Sequence, residues 1–270
     1  MEKKMSVFAI GDTHLSFSTD KPMDIFKGWF SHTEKLRENW ERAVSDNDTV
    51  VIPGDISWAM KLEESEKDFA FLHSLPGEKI ILKGNHDYWW TTKAKMDAFL
   101  NKNGFDSIKI LHNNAYKVGD YAICGTRGWF FDDIQPESEK VILREAGRLR
   151  TSLEHGLKLG GELLVFLHYP PLNANEKCEE IYNVLMEYPV KRCFYGHIHA
   201  ENIARYAHFN KDGIDFTLVS SDHLKFCPLL IESFWAKIYI CFFGTCESFR
   251  IIIIYLSAVK AVNLSLASTR

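Results

Sequence analysis

The chain has 270 residues, 46% hydrophobic and 25% charged, an ordinary globular composition with enough apolar side chain for a substantial core. Its formal net charge of −4 leaves no electrostatic footprint for duplex nucleic acid or an anionic lipid surface. No apolar run approaches the roughly 20 residues needed to span a bilayer, and the six cysteines form no CxxC pair.

The first residues, MEKKMSVFAIGD, are basic at the start, but the apolar run meets Asp12 too soon for a secretion signal. A cytoplasmic location with reduced thiols is the expectation. Short β-type runs then alternate with helical patterns. SVFAI (6–10) precedes the charge-rich helical stretch TEKLRENWERAVSD, and TVVIP (49–53) precedes the amphipathic KLEESEKDFAFLHSL. EKIILK (78–83) precedes TKAKMDAFLNK. This alternation predicts βαβ units and an α/β sheet. From residue 107 the strands come closer together as SIKILH, AYKVGD and YAICG. A long helix is predicted from PESEKV to GLKL, with Pro136 in its first turn. ELLVFLHY (162–169) reads as a strand, EKCEEIYNVLMEY as a helix and RCFYG as a strand, and residues 203–231 (IARYAHF, IDFTLVS, PLLI) finish with β character.

With no internal repeat and no low-complexity linker, residues 1–232 are expected to form one domain. Residues 233–270 differ: they are sparsely charged, aromatic and β-branched, without a helical period. Extra strands, an oligomer contact or an unpacked extension all fit such a segment.

A regularity ties the strands to chemistry. AIGDTH brings Asp12 and His14 after one strand, IPGDIS brings Asp55 after the next, and LKGNHD brings Asn85, His86 and Asp87 after a third. FLHYPP brings His168, and YGHIHA brings His197 and His199. Four of these five sites have glycine directly before the first polar residue, which permits a sharp turn off the strand. Open α/β sheets bind ligands at the carboxyl ends of their strands. The set suits two divalent cations, and mixed oxygen and nitrogen donors suit Mn, Fe or Zn better than Ca or Mg. A carboxylate can bridge two cations and an imidazole cannot, so the central Asp55 is the natural bridge.

The series GDTH, GDIS, GNHD, H and GHIH resembles the calcineurin-like metallophosphoesterase superfamily over roughly residues 6 to 231. The resemblance implies a four-layer αββα sandwich, an α/β fold with mixed sheets flanked by helices and the metal site at the carboxyl ends of the strands. It implies that Asp12, His14, Asp55 and His199 hold one metal, and Asp55, Asn85, His168 and His197 the other. His86 is then the catalytic residue that contacts the phosphate and assists the leaving group. The expected reaction is hydrolysis of a phosphomonoester or phosphodiester, with a hydroxide shared by the two cations attacking phosphorus.

One departure narrows the substrate. Protein Ser/Thr phosphatases of this superfamily continue the second motif as GDxVDRG, and its second Asp supports the catalytic histidine. Here the stretch is GDISWAM, with Trp58 at that position. A small phosphate ester is therefore the expected substrate. Arg127, in CGTRGWFFDD, can fork onto a phosphate or make a structural ion pair. Trp89 and Trp90 can wall the site or pack in the core. The remaining histidines read as incidental, with SSDHLKF (220–226) the exception because it ends a strand. A metal-dependent nuclease shares the same ligands, and a non-catalytic scaffold shares the fold. The first lacks a basic groove, and the second is disfavoured by a full set of ligands.

Overall fold

The computed structural model describes residues 3–129, 138–173, 176–200, 203–243 and 250–256. One sheet contains β1 (Lys3–Ala9), β2 (Thr49–Pro53), β3 (Glu78–Leu82), β4 (Ile108–Ile110), β11 (Leu229–Phe243) and β12 (Arg250–Leu256), in the order β12-β11-β1-β2-β3-β4. β1 to β4 run parallel, whereas β11 lies antiparallel to β1 and to β12. The second sheet contains β5 (Tyr116–Val118), β6 (Tyr121–Thr126), β7 (Glu162–Leu167), β8 (Arg192–Tyr195), β9 (His208–Lys211) and β10 (Ile214–Leu218). Its order is β5-β6-β7-β8-β10-β9, parallel at the centre and antiparallel at both edges.

Three apolar layers explain why the central strands read as unbroken hydrophobic runs. Successive side chains of a strand point to opposite faces. In β2, Val51 faces the other sheet, where it joins Val7, Ile80, Leu164, Phe166 and Phe194. Its neighbours Val50 and Ile52 face outward, under α1 (His32–Ala43), α2 (Glu66–Ser74) and α3 (Lys93–Asn103), with Leu36, Trp40, Phe69 and Met96. The outer face of the second sheet packs Val165, Cys193 and Phe216 against Leu149 and Leu153 of α4 (Ser138–Leu159) and Ile181 and Leu185 of α5 (Glu179–Glu187). A strand covered on both faces has no use for alternating polarity. The result is the helix–sheet–sheet–helix sandwich expected above.

Local signals fix the element ends. Thr92 caps α3 by accepting from the Lys95 N–H, and Gly104 ends that helix at φ +71°. The segment 61–75 divides into a 3-10 turn, Leu62–Ser65, followed by α2. At the exit of α2 the buried Lys79 reaches back from β3, and its Nζ donates to the carbonyls of Leu75 (2.6 Å) and Gly77 (2.7 Å).

One expectation differs from the structure. IARYAHF does not begin as a strand: Ile203–Tyr206 forms one helical turn, α6, and β9 starts at His208. The Tyr195 hydroxyl donates to the Tyr206 carbonyl at 2.6 Å, a bond from β8 that holds the end of this turn in place. Pro136 lies outside the described residues. In the late segment, β11 pairs with β1 from Leu229 to Ala236 and continues to Phe243, so extra strands are what the structure shows there.

Candidate metal centre

The functional candidates leave the carboxyl ends of β1, β2, β3, β7 and β8; parallel pairing aligns those ends within each sheet, and the packing of the two sheets brings them together. Asp12 (φ 56°), His14 (φ 45°), Asp55 (φ 49°) and His197 (φ 73°) all adopt the left-handed backbone conformation. That conformation is uncommon for residues with a side chain and clusters at functional sites. Cross-strand bonds hold it: the Asp12 N–H donates to the Gly54 carbonyl (3.0 Å) and the His14 N–H to the Asp55 carbonyl (3.0 Å). Two glycines are required by close approach. A Cβ on Gly84 would lie 2.1 Å from Asp55 Oδ1, and one on Gly196 would lie 2.4 Å from Asp12 Oδ2.

Two donor clusters result. Asp12, His14 and His199 form one, and Asp55, His168 and His197 form the other. Asp55 stands between them, with Oδ2 3.8 Å from His14 Nε2 and Oδ1 3.5 Å from His168 Nε2. Asn85 completes the second cluster: its Oδ1 is 2.6 Å from His168 Nε2 and 3.0 Å from His197 Nδ1. His199 Nε2 is 3.5 Å from Asp12 Oδ1. His168 Nδ1 lies 3.0 Å from the Pro53 carbonyl, which leaves Nε2 facing the cluster. All seven sequence-derived ligand positions therefore meet in one place.

The electrostatics describe a buried carboxylate pair among imidazoles. Burial, then the charge of Asp12, pushes Asp55 up to about 8. Burial also works to raise Asp12, but His199, His168 and His14 outweigh it and hold its carboxyl well below the usual range. Burial pushes His14 and His168 down, and burial with His168 takes His197 to about 3. Burial works against a charge on His199 too, but Asp12 and Asp222 raise it to about 10. His14, His168 and His197 are thus neutral and present lone pairs. Among the described residues, buried His14 Nδ1 has no hydrogen-bond partner. Carboxylate oxygens and neutral imidazole nitrogens at this spacing are the donor chemistry of a transition-metal cation.

The other candidates fall around this cage. His86 Nε2 is 4.0 Å from Asp55 Oδ2, and its half-buried ring packs on Trp58 at 4.5 Å between centroids. Trp58 also stacks on His14 at 5.0 Å. Asp87 turns away from His86. It accepts from the N–H groups of Gly84 (2.7 Å), Ile56 (2.8 Å) and Ser57 (3.3 Å) and from Trp89 Nε1 (3.1 Å). Trp89 belongs to the buried core, against Phe69. The Arg127 guanidinium lies 3.8 Å from Glu145 and 5.1 Å from the Trp129 ring centre, and its carbonyl accepts from His168 and Tyr169. Asp222 is the residue that the strand-end reading left unresolved. It follows β10 within SSDHLKF, and its Oδ1 lies 2.9 Å from His199 Nδ1.

The sequence model of the calcineurin-like phosphoesterases matches residues 5–201. The chain belongs to the calcineurin-like phosphoesterase family. A search of curated proteins finds no match. Among solved structures, the Thermus thermophilus protein TT1561 is similar at 12% identity and TM-score 0.54, over 85% of this chain and 98% of that one. The phosphopantetheinyl hydrolase of Mycobacterium tuberculosis aligns at 15% identity and TM-score 0.49, over 80% and 89%. The calcineurin-like phosphoesterase YfkN of Bacillus subtilis aligns at 12% and 0.45, over 95% and 91%. The first of these likenesses supports the shared fold. Membership of the calcineurin-like family makes the chain a metal-dependent phosphoester hydrolase by class, and the two donor clusters are candidate metal-binding sites.

Proposed function

We propose that the protein is a dinuclear phosphoesterase acting on a small phosphomonoester or phosphodiester. The observation that carries this reading is the placement of Asp55, each of whose oxygens faces a different donor cluster. Asp12, His14, Asp55 and His199 hold one divalent cation of the Mn, Fe or Zn class. Asp55, Asn85, His168 and His197 hold the second. When bound, such a pair supplies charge neutralisation on the phosphoryl oxygens and hydroxide as a nucleophile at neutral pH.

The chain's own residues do the rest. The Pro53 carbonyl and Asp222 fix the rings of His168 and His199 from behind, so that in each the other nitrogen faces inward. His86 stands at the rim, its side chain 35% exposed, and passes the proton at Nε2 to the departing oxygen. Trp58 holds the His86 ring by packing, where the protein Ser/Thr phosphatases use a carboxylate. Arg127 is a candidate for a phosphate contact, and its buried Nε has no hydrogen-bond partner among the described residues.

Elemental analysis and a hydrolysis screen with Mn²⁺ test the reading together. Two cations per chain and turnover of p-nitrophenyl phosphate, its bis-ester or a cyclic nucleotide are expected. Asp55→Asn should lose metal and activity in parallel. An Asp55→Asn protein with full metal content and full rate would refute the bridging role.

A further inference from the structure

Beside the donor clusters lies a cavity of about 310 Å³ whose walls are of a different chemistry. His14, His86 and His199 line it with the aromatic rings of Phe26, Trp29 and Trp58, and Lys27 and Asp222 also reach it. We propose that this cavity receives the apolar organic part of the phosphate ester, so that the substrate is an alkyl or aryl phosphate rather than a sugar phosphate. The inference rests on the phosphoesterase reading above and extends it to the substrate class.

The walls are preformed. Trp29 packs against His14 at 5.6 Å, His199 at 5.7 Å and Phe226 at 5.1 Å between ring centres. Trp58 is fixed between the stacked His14 ring and Met23, whose sulfur is 3.3 Å from the Trp58 indole nitrogen. A rigid aromatic wall costs little entropy when a ligand binds. None of the described lining side chains carries a hydroxyl or a carboxamide, and the polar ones are Lys27, Asp222 and the three histidines. The several hydroxyls of a sugar would therefore find few partners for the water they lose, a costly exchange. Asp222 is already engaged by His199 and by the Ala200 N–H.

The mouth continues the same character. Phe26 is 52% exposed and is followed by Lys27, which also lines the cavity. Ile25 and Phe30, close to it in sequence, are exposed as well. The volume stands at the lower end for small-molecule sites, which fits a ring or a chain of a few carbons better than a long lipid.

Calorimetric titration of the Mn²⁺-supplemented protein with methylphosphonate and hexylphosphonate tests this. The head group is the same in both, so any difference reports the chain. Hexylphosphonate should bind at least about tenfold more tightly, with the more negative heat-capacity change of apolar burial. Phe26→Ser, at a half-exposed position where folding is not at stake, should erase the difference. Equal affinities, or no heat from hexylphosphonate, overturn the proposal. A parallel hydrolysis assay on methyl and hexyl phosphate separates the two readings. Turnover without any effect of chain length removes the cavity's role and leaves the phosphoesterase reading intact. Preferential binding of hexylphosphonate without hydrolysis of any ester removes the phosphoesterase reading and leaves the cavity.

Discussion

The imidazole of His199 is held between two carboxylates: Nδ1 lies 2.9 Å from Asp222 Oδ1, and Nε2 lies 3.5 Å from Asp12 Oδ1. Asp222 is itself fixed by the N–H groups of Ala200 (3.1 Å) and His223 (3.0 Å). A carboxylate behind a ligating histidine sets its tautomer and ring angle. Asp222→Ala is expected to weaken one of two Mn²⁺ affinities by about 10- to 100-fold, with Asp222→Asn recovering part of it. Metal titration with a competing chelator reads both. Two unchanged affinities would remove Asp222 from the centre.

His86 separates chemistry from metal loading. It stands outside both donor clusters, with its Nε2 at the edge of the cage. His86→Ala is expected to keep its full metal content and lose about 10²- to 10⁴-fold in turnover. The loss should shrink for esters whose leaving alcohol is acidic, because such a group needs no proton. A uniform loss across leaving groups would contradict the proton-donor role.

Asp87 is adjacent to His86 in sequence and does a different job. Its carboxyl is buried, and burial followed by the charge of Asp55 pushes it up to about 7. Asp87→Ala leaves the backbone donors of Gly84, Ile56 and Ser57 and the Trp89 indole without their acceptor. A loss of about 3 kcal/mol is expected, or roughly 6–12 °C in Tm for a domain of this size. Thermal unfolding of the metal-free protein measures it. An unchanged Tm would show that water replaces the carboxylate.

Lys79 gives a pH dependence with a definite sign. Burial lowers its ammonium to about 8 in the folded protein, against an ordinary value of 10.5. Between those values the unfolded chain binds more protons, so the lysine's contribution to stability rises with pH through that window. Below about pH 8 the cost of the buried charge is present in full. The urea midpoint of the wild type, taken relative to Lys79→Met, should therefore climb from pH 7.5 to pH 10. A flat difference would mean that the carbonyls of Leu75 and Gly77 fully replace the water that Lys79 loses.

Much of this was legible along the chain. TVVIP and EKIILK are strands within a residue of their predicted ends, because β-branched runs closed by glycine leave few alternatives. TKAKMDAFLNK is a helix because Thr92 caps it and Gly104 stops it. IARYAHF misled because four apolar-rich residues fit a helical turn as well as a strand, and the packing of Tyr206 onto Tyr195 decides between them.

The sequence by itself determined which donors exist and that each ends a strand, since the pattern of an apolar run, a glycine and a polar residue is local. Only the tertiary structure decided which donors share a cluster, and that Asp222 rather than His223 reaches His199. It also turned Asp87 inward and set Trp58 against His86. The physical reason is distance along the chain. Packing of one sheet on the other places Asp12 beside His197 and Asp55 beside His168, and side-chain direction at such junctions depends on left-handed turns held by bonds between loops. No window of neighbouring residues contains that information.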